Sequence, residues 1–184
     1  MKRTAIVTVL AGALVLGGPA KAVVLVFGGG MAEACSKAAF DGKFDTASES
    51  ICSNSLQIEP LSTPDRAATF VNRGVMKLRR GDYEAARADF DASIALVATT
   101  GEAFVNRGAV FIGERRFKAG LADLNTAIEL GVSEPEKAYF NRALAYEGLN
   151  DEKSAYFDYQ QALNLKPDWE APKVELLRFT VSHR

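Results

Sequence analysis

Few side chains in this chain could carry reaction chemistry. Cys35 and Cys52, the single histidine His183 and the triplet Gly28-Gly29-Gly30 are the candidates. The cysteine spacing is nothing like the C-x-x-C of a redox pair, and a thiol nucleophile would have only a histidine at the far end of the chain as its base. The glycines follow an apolar run, Val23 to Phe27, as a phosphate-binding turn would. Neither the Lys-Ser/Thr of a P-loop nor the third glycine of a dinucleotide fingerprint comes after them. Asp89 and Asp91 are paired carboxylates of the kind that line a solvated helix face. One histidine and two cysteines leave little to build a metal site. No catalytic residue, metal or cofactor is assigned.

More informative are the side chains that return at a fixed interval. Asn72-Arg73, Asn106-Arg107 and Asn141-Arg142 recur, and Asp89, Asp123 and Asp158 stand sixteen residues after each arginine. A repeated arginine and carboxylate can form a ladder of paired charges that holds structure together, or can meet a ligand; both readings stay open. The asparagines bring amide donors and acceptors without net charge.

The segments that carry these residues repeat as well. Phe70-Val71-Asn72-Arg73-Gly74 recurs unchanged as Phe104-Val105-Asn106-Arg107-Gly108, and a third copy is Tyr139-Phe140-Asn141-Arg142-Ala143. The offsets are 34 and 35 residues, a period that signals stacked supersecondary units. Within each unit the apolar spacing is helical on both sides of a break such as Arg80-Gly81-Asp82, so each is a helical hairpin. Thr99 with Glu102 and Ser133 with Glu136 have capping-box spacing, and Thr63-Pro64 offers a cap followed by a first-turn proline. An earlier, degenerate hairpin is expected over 33–61, where Gly42-Lys43-Phe44 with Ala47 matches Gly81-Asp82-Tyr83 with Ala86. On that register Cys35 aligns with Gly74 and Cys52 with Asp91, across one hairpin. A closing helix is expected over 168–181, with Val174, Leu177 and Val181 sealing the last unit and His183 in a frayed tail.

Composition sets the outer bounds. The chain has 184 residues, 48% apolar, with 22 basic and 23 acidic side chains. This suits one domain with a real core and lacks the cationic footprint of a nucleic-acid binder. Residues 1–22 read as an export signal: Lys2 and Arg3, an uncharged run from Thr4 to Gly18, then the A-x-A site Ala20-Lys21-Ala22. Cleavage after Ala22 would deliver the protein to the bacterial periplasm, with 23–32 as a flexible mature N-terminus. The alternative is an uncleaved anchor, because Val23 to Phe27 continues the apolar character. A lipoprotein fits poorly, since Glu33 stands two places before Cys35. Cleavage removes Lys2, Arg3 and Lys21, so 22 basic residues become 19 against 23 acidic, a net charge of −4. In an oxidising compartment Cys35 and Cys52 are read as a structural disulfide, with two buried free thiols as the alternative.

The repeated residues resemble the tetratricopeptide repeat (TPR) family: an aromatic, a small residue four later, then Gly-x-aromatic, alanine, aromatic and alanine, closing with proline as at Pro167. The copies are placed at 67–98, 101–132 and 136–167. Gly120 and Glu152 depart from the pattern. The resemblance implies an all-α, right-handed superhelical solenoid of helical hairpins with a C-terminal capping helix. It also implies that the first helix of each hairpin lines a concave groove. Carried over, that groove presents Val71, Asn72 and Val75 from one copy, Val105, Asn106, Ala109 and Ile112 from the next, and Phe140, Asn141 and Leu144 from the third. The lysine-asparagine clamp for a C-terminal carboxylate, used by some members of the family, is matched only at Asn106 and Lys137, because Val71 and Val75 stand where its other residues belong. The expected function is a non-catalytic protein-protein interaction module, a scaffold or adaptor binding a peptide or partner segment. Nucleic acid is not an expected partner, and the membrane is one only if the signal stays uncut. A thiol-dependent enzyme or ligand carrier is the alternative of another class.

Overall fold

The computed structural model describes residues 5–9 and 18–183, with side chains described for 18–179. The remaining part of the expected export signal, residues 1–4 and 10–17, lies outside the described residues. Four antiparallel helical hairpins stack in chain order: α1 (Gly30–Phe40) with α2 (Thr46–Ile58), α3 (Thr63–Arg79) with α4 (Tyr83–Leu96), α5 (Gly101–Gly113) with α6 (Phe117–Leu130), and α7 (Pro135–Gly148) with α8 (Glu152–Leu165). A short α9 (Glu170–Leu176) follows. Outside the superhelix, β1 (Ala5–Val9) pairs antiparallel with β2 (Phe179–His183).

Each hairpin is set by a close helix approach. A Cβ at Gly74 would stand 2.6 Å from the Phe90 ring, and one at Gly108 would stand 2.9 Å from Leu124 Cγ. Phe90, Leu124 and Tyr159 are fully buried and fill the joint of α3–α4, α5–α6 and α7–α8 in turn. Opposite Tyr159 the third copy has Ala143, and Phe140 packs on that ring at 5.4 Å between centroids.

The helix starts differ from the capping-box expectation. Ser62, not Thr63, caps α3 by accepting from Asp65 N at 3.2 Å. Thr100 stands at the start of α5 without a side-chain cap. Glu102 is instead used between hairpins, accepting from Ser133 N and Oγ at 3.2 and 2.9 Å. The inter-hairpin bond takes one member from each expected box, Glu102 from the first and Ser133 from the second.

At the amino end, Cys35 and Cys52 form a disulfide across α1 and α2 with a Cα–Cα separation of 4.9 Å, and both are fully buried. The start of α1 is capped from the end of α2: Glu59 accepts from Met31 N at 2.6 Å and from Ala32 N at 2.9 Å. Hydrogen bonds from Ser55 and from those amides hold the Glu59 carboxyl below its ordinary value. At the carboxyl end the expected long closing helix is corrected. It stops at Leu176, leaving Val174 and Leu177 exposed, and Trp169, Leu176 and Phe179 cover the last hairpin instead. Phe179, Thr180 and Val181 are aromatic or β-branched, and Phe179 to His183 have a strand partner, so β geometry wins there. His183 therefore lies in β2, opposite Ala5, and not in a frayed tail.

Candidate peptide-binding groove

The first helices of the hairpins, α1, α3, α5 and α7, line one concave face. All ten residues expected to line a groove come from α3, α5 and α7, and they meet there. The groove is filled by the chain itself. Residues 18–27, which sequence reading divides between a removed leader and a flexible N-terminus, run along it as an extended strap.

The asparagine ladder holds the strap by its backbone. Asn141 accepts from Ala20 N at 2.6 Å and donates to Ala20 O at 2.7 Å. Asn106 does the same to Ala22, at 2.9 and 2.6 Å, and Asn72 to Val24, at 3.0 and 2.6 Å. Each carboxamide thus satisfies one N–H and one C=O of a single strap residue, the pairing a neighbouring strand would give. The step is two strap residues per hairpin, an advance of about 7 Å for extended chain, which keeps alternate side chains on one face. Strap numbers fall as hairpin numbers rise, so the strap enters at α7 and leaves at α1.

A fourth rung was not visible in the repeat. Ser36 Oγ accepts from Val26 N at 3.1 Å, which continues the two-residue step onto the degenerate hairpin. Its only sequence signal is that a polar residue on α1 follows the apolar strap by ten positions. Beyond it, Gly28, Gly29 and Gly30 have φ of +121°, +85° and +82°. That left-handed backbone turns the strap into α1, and Glu33 accepts from Gly29 N at 2.5 Å. The glycines are a turn with a defined conformation, which corrects the expectation of a flexible start at 23–32.

Side-chain packing follows the same alternation on either side of Val23 and Val24, which are both half-buried. Ala22 and Val26 are buried, whereas Leu25 and Phe27 face out. Ala22 packs with Val105, Ala127 and Ala138; Ala20 packs on the cluster around Phe140 and Leu144, with Ile112 beside it. Val23 and Val24 cover Val71, Val75 and Ala109. Lys21 projects from the outer side of the strap into a cavity of about 500 Å3 lined also by Arg79, Glu102, Glu134 and Lys137. Burial chiefly, and then the Arg79 charge, push the Lys21 ammonium below its ordinary pKa. Lys137 is engaged by Glu134 at 2.6 Å, and Asn106 by the strap, so neither stands ready as half of a carboxylate clamp.

The repeated arginines face the opposite way, into the joints. Arg73 donates to both oxygens of Asp89 at 2.9 and 2.7 Å, Arg107 to those of Asp123 at 2.7 and 2.9 Å, and Arg142 to those of Asp158 at 2.6 and 2.8 Å. The third donor of each reaches the second helix of the preceding hairpin: Ser53 Oγ at 3.1 Å, Asp91 Oδ1 at 2.7 Å and Asn125 Oδ1 at 2.9 Å. Each guanidinium also lies over an aromatic one turn earlier, Phe70, Phe104 or Tyr139. The hydrogen bonds Arg107 donates to Asp123 raise its pKa further above its already high value, against the cost of burial. Of the two open readings, this geometry is that of a structural staple.

Comparison with known proteins agrees with this architecture. Residues 136–168, the α7–α8 hairpin, match the tetratricopeptide repeat family. No curated protein matches the sequence. Among solved structures, the Arabidopsis OM64 TPR domain is similar, at TM-score 0.60 and 24% identity, over 64% of this chain and 96% of that one. MamA (41-end) from Desulfovibrio magneticus RS-1 superposes at TM-score 0.62 and 20% identity, over 80% and 82%. The second TPR domain of human RPAP3, solved in complex with an HSP70 peptide, gives TM-score 0.56 and 24% identity, over 62% and 95%. The fold is an all-α TPR superhelix.

Proposed function

We propose that this chain is a non-catalytic interaction module that holds an extended segment of protein in its concave groove and works in the bacterial periplasm, exported through cleavage after Ala22. One observation carries the groove reading: three asparagines from three hairpins each bind both backbone groups of every second residue of one strand. The site therefore reads backbone, with size selection at alternate positions. RPAP3 domains of similar fold are solved with HSP70 and HSP90 peptides, which supports a peptide as the class of partner. The carboxylate clamp is not assembled in this groove, so a chaperone tail is not the partner proposed. The thiol-dependent alternative needs a thiol, and both cysteines are in the disulfide.

A membrane-tethered scaffold is the second reading. It is favoured by the strap running unbroken across Ala22 and Val23, with backbone groups held on both sides. No described helix is long and apolar enough to cross a membrane. N-terminal sequencing of the exported protein separates the two. Crosslinking pull-down from periplasmic extract tests the groove, using native protein beside the Asn72→Ala, Asn106→Ala, Asn141→Ala triple variant matched for thermal stability. A partner captured by the first and lost by the second is the expected result. Equal capture by both would remove the groove assignment.

A further inference from the structure

Ala22 and Val23, the two residues that flank the expected cleavage point, lie in the middle of the strap, between the Asn106 and Asn72 rungs. Cleavage here therefore divides the occupant of the groove. Water adds across the Ala22–Val23 amide under a leader peptidase, leaving a carboxylate on Ala22 and an ammonium on Val23. On the carboxyl side, Val24 stays on Asn72 and Val26 on Ser36, because a few residues of chain tie them to α1 and keep their effective concentration high. On the amino side, Ala20 and Ala22 lose that covalent tether; among the described residues four hydrogen bonds with two asparagines hold their backbone, and the other hold on the same fragment is the pairing of β1 with β2, outside the groove.

We propose that cleavage opens only one half of the groove, the Asn106–Asn141 half, and that this half receives an extended peptide with leader-end chemistry: apolar, small at two alternate positions, and ending in a free carboxylate. This rests on the export reading given above. The size rule comes from Ala22, 1% exposed between Val105 and Ala138, and from Ala20 against the Phe140 cluster. The direction follows from the strap, with the peptide's amino end at α7. The carboxylate follows from the new Val23 ammonium, which lies next to the place where the strap residue Ala22 ends.

The same geometry bears on timing. In the folded chain both backbone groups of Ala22 are bonded to Asn106 and the residue is buried, so a protease cannot take that segment in extended form without first displacing it. A leader peptidase would therefore act on chain whose strap is undocked, and the half is open because Ala20 and Ala22 are gone when Val24 and Val26 dock.

The test compares the processed protein, purified from periplasm with its start at Val23 verified by intact mass, with uncut chain made by cell-free synthesis under oxidising conditions. The probe is a fluorescein-labelled peptide of residues 14–22 with a free carboxylate, read by fluorescence anisotropy. The processed protein is expected to bind it at least about tenfold more tightly than the uncut chain, and Asn106→Ala or Asn141→Ala to weaken binding about tenfold each. Asn72→Ala, whose rung stays occupied by Val24, is expected to weaken it less than Asn106→Ala does, and only by loosening the Val23 end. Ala22→Trp in the peptide tests the size rule without altering the protein, and is expected to abolish binding. Equal binding by uncut and processed protein, no binding by either, or an Asn72→Ala loss as large as that of Asn106→Ala would overturn the proposal while leaving export intact. An exported protein whose mass retains residues 1–22 would overturn the export reading, and the proposal with it.

Discussion

Asn106 and Arg107 are neighbours in sequence and opposite in use. One turns into the groove and bonds the backbone of the strap; the next points into the joint between helices and bonds Asp123 and, one hairpin back, Asp91. Consecutive residues on a helix are about 100° apart, so a single Asn-Arg dipeptide can serve two surfaces. The same division holds at Asn72-Arg73 and Asn141-Arg142. What separates the two sets is the partner: the arginine's lies within the repeat and recurs with it, while the asparagine's lies outside the repeat and can be exchanged. The staple belongs to the fold, and the ladder belongs to whatever lies in the groove.

The largest effect expected from this contrast is at the staple. Asp123→Ala leaves the Arg107 guanidinium largely buried with only Asp91 beside it, and removing one partner of such a pair costs about 3 kcal/mol. Urea unfolding should show that loss, with the strap still docked in the protein that remains folded. Unchanged stability together with loss of a bound peptide would instead make the arginines part of the site.

A smaller and more local effect is expected at the ladder. Asn106→Ala leaves the Ala22 N–H and C=O without partners inside the groove, a cost of about 1–2 kcal/mol that the strap can relieve by undocking. Amide exchange should therefore lose protection at Ala20, Ala22 and Val24 in the uncut chain while α3 to α8 keep theirs. If protection falls throughout the helices, the asparagines are structural as the arginines are, and the contrast fails.

The residues explain why one member of each pair was legible and the other only half so. The F-V-N-R-G repeat and the sixteen-residue interval from arginine to aspartate are local; spacing alone fixes hairpins and joints and couples each arginine to its aspartate, while the choice between staple and ligand site needed the geometry. The face bearing the asparagines could be placed in the same way, but its occupant could not. Ala20, Ala22 and Val24 are 121, 84 and 48 residues from their asparagines, and an apolar stretch with small residues reads as a leader whether or not it also fits a groove. The carboxyl end was misjudged for a related reason. The spacing of Val174, Leu177 and Val181 suits a helix, yet the strand that Phe179 to His183 form depends on Ala5 to Val9 at the opposite end of the chain.

The finest test of the strap uses the one titratable group on its buried course. Lys21 shares its cavity with Arg79, Lys137, Glu102 and Glu134, and burial with the Arg79 charge lowers its pKa when docked. An undocked Lys21 returns to its ordinary value of 10.5. Between the lowered value and 10.5 the undocked state holds more protons, so docking strengthens as pH rises through that window and levels off above it. Lys21→Met removes the ammonium and should make docking independent of pH there, and tighter at neutral pH than in the native chain. Protection factors of Ala20 and Ala22, corrected for intrinsic exchange, measure this directly. A native-like pH dependence in the Lys21→Met protein would show that docking is not linked to this ammonium, and would place the lysine head in water and not against the groove.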